Sequence, residues 1–162
     1  MKNSTQNCCP ELNVEKWDKK TIQWEQKRFI KESMPTLFHM PFPSMLGKKM
    51  MKLHELAVKE NATIPDVSEA LILFRDPSAF KSEIYYAVTK EVQGADNCEI
   101  TGTFVSVVYD GSYNKVPVFM KDMDNYLKQT GQTAKDYYIH YAYCPKCAKN
   151  YGHNYMILFA RI

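Results

Sequence analysis

The sequence predicts an α+β fold built from two strand-helix-strand-strand modules related by a pseudo-twofold axis, with antiparallel sheets and two main helices. Two amphipathic helix patterns, each preceded by one apolar run and followed by two more, support this class. The same order of elements recurs at an offset of roughly 65–70 residues, which indicates an internal repeat. Hydrophobic residues make up 45% of the 162 residues, enough to build the core of one domain.

The first module is predicted at about residues 27–93 and follows a polar arm of residues 1–26. Because exposed indoles are costly, we expect the arm to pack Trp17 and Trp24 on the domain of residues 27–162. A helix capped by Ser44 is predicted to end near Glu60, and an Asp76–Ser78 turn separates the last two strands. The predicted strands are Phe29–Met40, Ala70–Arg75 and Glu83–Val92.

The second module is predicted at about residues 99–162, after a break at Gly94–Asn97. Asn114 is expected to cap a helix that runs to about Thr130, and Gly131 to end it in a left-handed conformation. The sequence from Cys144 to Gly152 is predicted to be a tight turn and a polar loop. The predicted strands are Ile100–Tyr109, Tyr137–Tyr143 and Tyr155–Arg161.

Composition argues against several classes of protein. The net charge is +3 and basic residues are interleaved with acidic ones instead of forming a stripe, so nucleic acid is not an expected partner. No apolar run approaches the ~18 residues of a membrane span, so no membrane partner is expected. The N-terminus lacks the apolar stretch of a secretory signal, and we expect a cytoplasmic monomer or homodimer. Gly-rich phosphate loops and the GxSxG and HExxH motifs are missing from the sequence.

The cysteines form the densest group of reactive residues. Cys144 and Cys147 make a CxxC pair, and the adjacent Cys8 and Cys9 offer two more thiolates for a structural zinc site. His153, six residues after Cys147, is an alternative ligand. A redox pair, a three-ligand catalytic metal and a plain turn of unliganded thiols remain open alternatives.

Glu83 and Tyr85 are the pair that we expect in a ligand-binding cleft. They share one side of a predicted strand, so a carboxylate would lie on an aromatic wall and could attract a cation. If Glu83 is buried, its pKa should rise toward that of a general acid or base; the alternative is an exposed glutamate opposite a lysine. Further candidate ligand contacts are Tyr109, Tyr113, Tyr141, Phe38, His39 and Trp17.

Several segments together resemble the GyrI-like effector-binding domain. These are EIYYAVTKEV, ITGTFVSVVYDGSYNKV, a helix ending in YLKQTG and a tyrosine-rich strand, and the match covers roughly Phe29–Ile162. The resemblance implies a central cleft that binds aromatic, often cationic, small molecules. It also implies that members serve as sensors in transcription regulators, as stand-alone binding proteins or, in one branch, as hydrolases that open strained cyclopropane rings.

The sequence departs from this family at two places. The acidic stretch that usually follows the tyrosine-rich strand is replaced by CPKCAKNYGHN, and no helix-turn-helix segment precedes the domain. We therefore expect a stand-alone protein that binds a hydrophobic, aromatic or cationic molecule. The alternative is a hydrolase of electrophilic, cyclopropanoid-type xenobiotics, with Glu83 and Tyr85 as the catalytic pair.

Overall fold

The computed structural model describes residues 7–162. Its strands are β1 (Lys20–Leu37), β2 (Met40–Pro41), β3 (Ile72–Ser78), β4 (Lys81–Ala87), β5 (Asp96–Asp110), β6 (Asp136–Tyr141) and β7 (Tyr155–Arg161). Its helices are α1 (Val14–Trp17), α2 (Pro43–Lys59), α3 (Val116–Gln129) and α4 (Pro145–Tyr151). The predicted α+β class with antiparallel strands is confirmed.

The chain divides into two compact units. The central unit is Gln23–Phe104, and the terminal unit joins the segment up to Ile22 with Val105–Ile162. Each unit contains one long helix: α2 follows β1 and β2 and precedes β3 and β4, and α3 follows β5 and precedes β6 and β7. In the described part of the chain, none of the helices has the length and apolar character that crossing a membrane requires.

In the central unit, β4 lies between β1 and β3 and pairs antiparallel with both. One face of these strands carries Ile30, Met34 and Ile84, which pack with Leu53 and Ala57 of α2 in a buried core. The i, i+4 spacing of the two helical residues explains why they share that face. β1 continues into a hairpin with β2, where Leu37 pairs with Met40.

In the terminal unit, β6 and β7 pair antiparallel along their whole length, from Asp136 opposite Arg161 to Tyr141 opposite Met156. α3 buries Met123 and Leu127, which cluster with apolar residues of the strands such as Leu158. Gly131 follows the helix with φ +72°, as predicted, because a left-handed C-terminal position favours glycine.

The N-terminal segment is less irregular than predicted. Its strand β1 begins at Lys20, not at Phe29. Gln26 has φ +49°, and Trp24 and Phe29 are both buried although they are five positions apart. Such a backbone irregularity breaks the alternation of buried and exposed side chains by which a strand is recognised. This part of β1 could therefore not be recognised from the sequence pattern.

The segment after Cys144 is a helix, α4, and not the polar loop that the sequence predicted. Pro145 is its first residue and Gly152 follows it at φ +74°, which are favoured positions for these residues at helix ends. Because α4 has only seven residues, it is too short for its apolar periodicity to be recognised.

Helix starts and one turn also differ from the predictions. α2 begins at Pro43 after Phe42, and α3 begins at Val116, so neither Ser44 nor Asn114 occupies the capping position. A proline in the first turn has a fixed φ angle that suits a helix, so the helix can begin there without a side-chain cap. β3 continues through the predicted Asp76–Ser78 turn, with an irregular register between Arg75 and Ser78.

Candidate functional site

Glu83 is a buried carboxylate at the centre of a polar cluster in the central unit. Only 5% of the residue is exposed. The Tyr85 hydroxyl donates a hydrogen bond of 2.5 Å to Oε2, and Arg75 Nη1 donates one of 3.1 Å to Oε1. The ammonium of Lys31 lies 3.4 Å from Oε2. Both carboxylate oxygens therefore have protein partners.

Strand pairing assembles this cluster. Glu83 and Tyr85 lie two residues apart on β4, so their side chains leave the same face of the strand. Arg75 of β3 is directly opposite Glu83, and Lys31 of β1 is directly opposite Tyr85. The sequence analysis identified the first pair and missed Lys31 and Arg75. Only the strand register could have revealed them, because both lie on strands that neighbour β4 and not on β4 itself.

The pKa of Glu83 is lowered from its usual value of 4.5, whereas the sequence analysis expected burial to raise it. Burial alone does raise the pKa, but the hydrogen bond from Tyr85 and the positive charges of Lys31 and Arg75 outweigh that effect. Glu83 is therefore an ionised carboxylate at neutral pH. It can accept hydrogen bonds or a proton, and it cannot act as a general acid there.

Lys31 also contacts the Tyr85 ring and borders a cavity. Its ammonium lies 5.8 Å from the centre of the Tyr85 ring, within the range of a cation–π interaction. Lys31 also lines a cavity of about 180 Å³ together with Glu32, Lys52 and Asp96. Its side chain is 30% exposed, so part of it is accessible to solvent.

A larger cavity of about 360 Å³ lies elsewhere in the central unit, with mostly apolar walls that include Val67 and Leu71. His54 Nδ1 and the Tyr86 hydroxyl, 2.8 Å apart, supply its polar wall. Tyr86 follows Tyr85 on β4, so the two side chains leave opposite faces of the strand. This cavity is therefore a second place in the unit where a small molecule could bind.

Phe38 and His39 lie at the tip of the β1–β2 hairpin. Both have positive φ angles, and Phe38 is 70% exposed and packs on Phe80 with ring centres 5.7 Å apart. His39 Nδ1 is 3.2 Å from Asp76 Oδ2. Neither residue belongs to the cluster around Glu83.

The other candidate aromatic residues belong to the terminal unit. Trp17 is buried and packs edge-on against Phe159, so it anchors the N-terminal segment. Tyr109 stacks on Phe119 and donates a hydrogen bond of 2.9 Å to Asp122. Tyr113 and Tyr141 are 57% and 37% exposed.

The terminal unit also brings together Cys8, Cys9, Cys144 and Cys147. Their sulfur atoms all lie within 4.8 Å of one another. Cys8 Sγ is 3.5 Å from the sulfur atoms of Cys144 and Cys147 and 3.9 Å from that of Cys9. His153, the alternative ligand, is 2.8 Å from Asp110 and stacks on Tyr155 instead.

The pKa values of two of the thiols, Cys144 and Cys9, are shifted in opposite directions. A hydrogen bond from the Cys147 backbone is the main cause that lowers the pKa of Cys144 to about 7. Burial raises the pKa of Cys9 to about 12. The Cys144 backbone amide donates a hydrogen bond of 3.3 Å to the Cys9 sulfur. The cluster is therefore a set of sulfur donors held close together, and one of them ionises readily.

The fold is similar to those of several solved structures. The EcmrR C-terminal domain has a TM-score of 0.68 and 11% identity over 90% of this chain and 96% of that domain. A hydrolase from Listeria innocua has a TM-score of 0.61 and 11% identity over 89% of this chain and 91% of its own. SAV2435, solved with bound tetraphenylphosphonium, has a TM-score of 0.55 and 12% identity over 89% of this chain and 93% of its own.

These likenesses concern the fold, and they confirm the predicted resemblance to GyrI-like domains. No curated protein matches the chain. The family model described as "Bacterial hydrolase" matches residues 1–162, the whole chain. The protein therefore belongs to this bacterial hydrolase family.

Proposed function

We propose that the protein binds a hydrophobic, aromatic or cationic small molecule, and that Glu83 and Tyr85 form its recognition pair. The observation that carries this proposal is the buried, ionised Glu83 carboxylate beside the Tyr85 ring and hydroxyl. A ligand cation gains both from a carboxylate and from an aromatic face. The similar fold of SAV2435, solved with tetraphenylphosphonium, supports this class of ligand.

Lys31 indicates how a cation would be held. Its ammonium already makes the two contacts that a cationic ligand would use, at 3.4 Å from Glu83 and 5.8 Å from the Tyr85 ring centre. A bound cation would replace this ammonium, which could then move toward solvent.

Calorimetric titration with tetraphenylphosphonium tests this proposal. Glu83→Gln keeps the shape of the side chain and removes its charge, so affinity should fall about tenfold, as expected for the loss of ~1.4 kcal/mol. Lys31→Met should raise affinity because it removes the competing ammonium. Lys27→Met is the matched control, since Lys27 is also on β1 and its ammonium lies 5.6 Å from the Trp24 ring centre. Its affinity should equal that of the wild type.

Two further measurements separate this site from the larger cavity. Triphenylphosphine oxide, a neutral aromatic molecule, should bind with an affinity that Glu83→Gln changes little. His54→Ala alters the cavity that His54 and Tyr86 line, and it should leave the binding of tetraphenylphosphonium unchanged. If His54→Ala weakens binding while folded Glu83→Gln does not, the ligand binds in the larger cavity and the assignment to Glu83 is wrong.

A hydrolase acting on electrophilic, cyclopropanoid xenobiotics is the second candidate, favoured by the family to which the chain belongs. Glu83 would take a proton from water while the water oxygen bonds to the electrophilic ring carbon. The strained carbon–carbon bond breaks, its electron pair passes to the substrate's acceptor group, and that group takes up a proton. The net change is the addition of one water molecule. Because Glu83 is ionised at neutral pH, it is ready to accept that proton.

Spiro[2.5]octa-4,7-dien-6-one is a suitable substrate probe, because opening of its ring forms a phenol that ultraviolet absorption detects. We expect Glu83→Gln to lower the rate by roughly 100-fold, the usual contribution of a general base. A rate in Glu83→Gln equal to that of the wild type would exclude Glu83 as the base. Binding of tetraphenylphosphonium without turnover of the dienone would favour the binding protein over the hydrolase.

The proposal also covers the other candidate ligand contacts and the cellular location of the protein. A ligand could contact the exposed side chains of four of these candidates, Tyr113, Tyr141, Phe38 and His39. The other two, Tyr109 and Trp17, already pack within the terminal unit. We infer a cytoplasmic location, because five cysteines are an odd number that cannot all pair in disulfides, and a reducing compartment preserves unpaired thiols.

A further inference from the structure

We propose that Cys8, Cys9, Cys144 and Cys147 bind one zinc ion that fastens the N-terminal segment to the connection between β6 and β7. The sulfur separations of 3.5–3.9 Å around Cys8 are the first reason. Zinc–sulfur bonds of about 2.3 Å in a tetrahedron place the sulfur atoms about 3.8 Å apart. The four side chains thus converge as the ligands of one tetrahedral ion would.

The donor set selects the metal. Four thiolates form a soft ligand set, and a tetrahedral arrangement of four sulfur atoms is typical of zinc. Zinc with four thiolates carries a net charge of about −2, which nearby cations would stabilise. The sequence from Cys144 to Asn154 contains Lys146 and Lys149 and no acidic residue, so its charge suits such a site.

The number of ligands indicates the role. Four protein ligands complete a tetrahedral coordination sphere and leave no position for water or substrate, which is typical of structural zinc sites. Cys8 and Cys147 are 139 residues apart, so the ion would link distant parts of the chain. We therefore assign the site a structural role, separate from the proposed function of Glu83.

Neighbouring contacts hold the same two segments together. The Tyr151 hydroxyl donates a hydrogen bond of 2.8 Å to the Cys9 carbonyl, and the Leu12 amide donates one of 2.9 Å to the Tyr143 hydroxyl. Asn150 donates one of 2.8 Å to Asn7. These bonds position the two cysteine pairs before metal binds, so that binding requires little rearrangement.

The test is the metal content of the purified chain, isolated without chelators and without a metal-affinity step. Elemental analysis and native mass spectrometry should find about one zinc per chain, the stoichiometry of a four-ligand structural site. Cys98→Ser is the matched control, because Cys98 is a free cysteine on β5 outside the cluster, and it should retain the zinc. Cys147→Ser and the double variant Cys8→Ser/Cys9→Ser should lose it.

Two further readouts keep the test decisive, because Cys147 is fully buried and its variant could fail to fold. Cobalt(II) added to metal-free protein should give the visible absorption of a tetrahedral tetrathiolate in the wild type and in Cys98→Ser, but not in the double variant. EDTA should lower the thermal unfolding midpoint of the wild type and Cys98→Ser and leave that of the double variant unchanged.

Several outcomes would overturn the proposal. Wild-type protein whose native mass equals that of its sequence would contain no metal, and a mass lower by two hydrogens per bond would indicate disulfides instead. Bound iron in place of zinc would contradict the choice of metal. Zinc retained by the double variant would mean that the ligands lie elsewhere. An unchanged unfolding midpoint after EDTA has removed the zinc would exclude the structural role.

Discussion

At the scale of single residues, the surroundings of Glu83 determine what it can do. A buried carboxylate without partners would be protonated, but Tyr85, Arg75 and Lys31 stabilise its charged form. Removing the charge would leave Arg75 and Lys31, whose side chains are 27% and 30% exposed, without their common anion. Glu83 therefore affects both ligand recognition and stability, and the two effects need separate measurements.

The stability effect should depend on pH. The pKa of Glu83 is lower in the folded protein than the 4.5 of a free side chain, so its contribution is present above that value. The contribution should be lost as the pH falls through the lowered pKa. We expect Glu83→Gln to lower the free energy of unfolding by about 2 kcal/mol near neutral pH, since it removes the anion that Lys31 and Arg75 both contact. Urea denaturation of both proteins across the acidic range measures this difference.

The comparison with the variant is necessary because other carboxylates titrate in the same range. Burial raises the pKa of Glu32, but Lys52 and Lys49 lower it by more, so the stability of the wild type falls in acid for that reason as well. Subtracting the variant's curve removes this common part. A difference between the two proteins that stays constant from neutral to acidic pH would contradict the role assigned to the Glu83 charge.

At the scale of helices, one glycine inside α2 and another just after α3 are in opposite situations. Gly47 lies inside α2, with nothing within 4 Å of the position where a β-carbon would lie. Gly131 follows α3 with φ +72°, a conformation that residues with a side chain rarely adopt. The same substitution should therefore have opposite effects at the two positions.

We expect Gly47→Ala to raise the free energy of unfolding by about 0.5–1 kcal/mol, because alanine loses less backbone entropy in a helix. Gly131→Ala should lower it by about 1–2 kcal/mol, because the β-carbon is strained in the left-handed region. Thermal and urea unfolding of the two variants would measure both changes. Equal effects of the same sign would contradict the assignment of these positions.

At the scale of the whole molecule, the terminal unit depends on residues from both ends of the described chain. Trp17 packs on Phe159, and Ser106 donates a hydrogen bond of 2.6 Å to the Trp17 carbonyl. Asp18 accepts a hydrogen bond of 3.1 Å from the Val108 amide. The N-terminal segment is therefore part of the core of this unit and not a loosely attached arm.

Trp17→Ala should lower the free energy of unfolding by about 3–5 kcal/mol, the usual effect of removing a large buried aromatic side chain. Val118→Ala is the matched control in the same unit, because Val118 is 65% exposed on α3. It should change stability by no more than about 0.5 kcal/mol. Similar losses in the two variants would show that Trp17 contributes no more than an exposed residue, contrary to this prediction.

Much of the fold could be predicted from the sequence, because its signals are local. The apolar faces of α2 and α3, the boundaries of β7 and the left-handed Gly131 follow from side-chain period and backbone preference. The errors have local causes too. The irregular backbone at Gln26 interrupts the strand pattern at the start of β1, and α4 is too short to show the apolar periodicity of a helix.

The sequence by itself determined the α+β class, the resemblance to GyrI-like domains and the pairing of Glu83 with Tyr85, since residues two apart on a strand share a face. It also identified the cysteines that could bind metal. Only the tertiary structure decided that Arg75 and Lys31 lower the pKa of Glu83 and that Cys8 and Cys9 meet Cys144 and Cys147. Both depend on contacts between different strands or segments of the chain. Strand register and chain packing determine these contacts, and no pattern within a single strand or helix shows them.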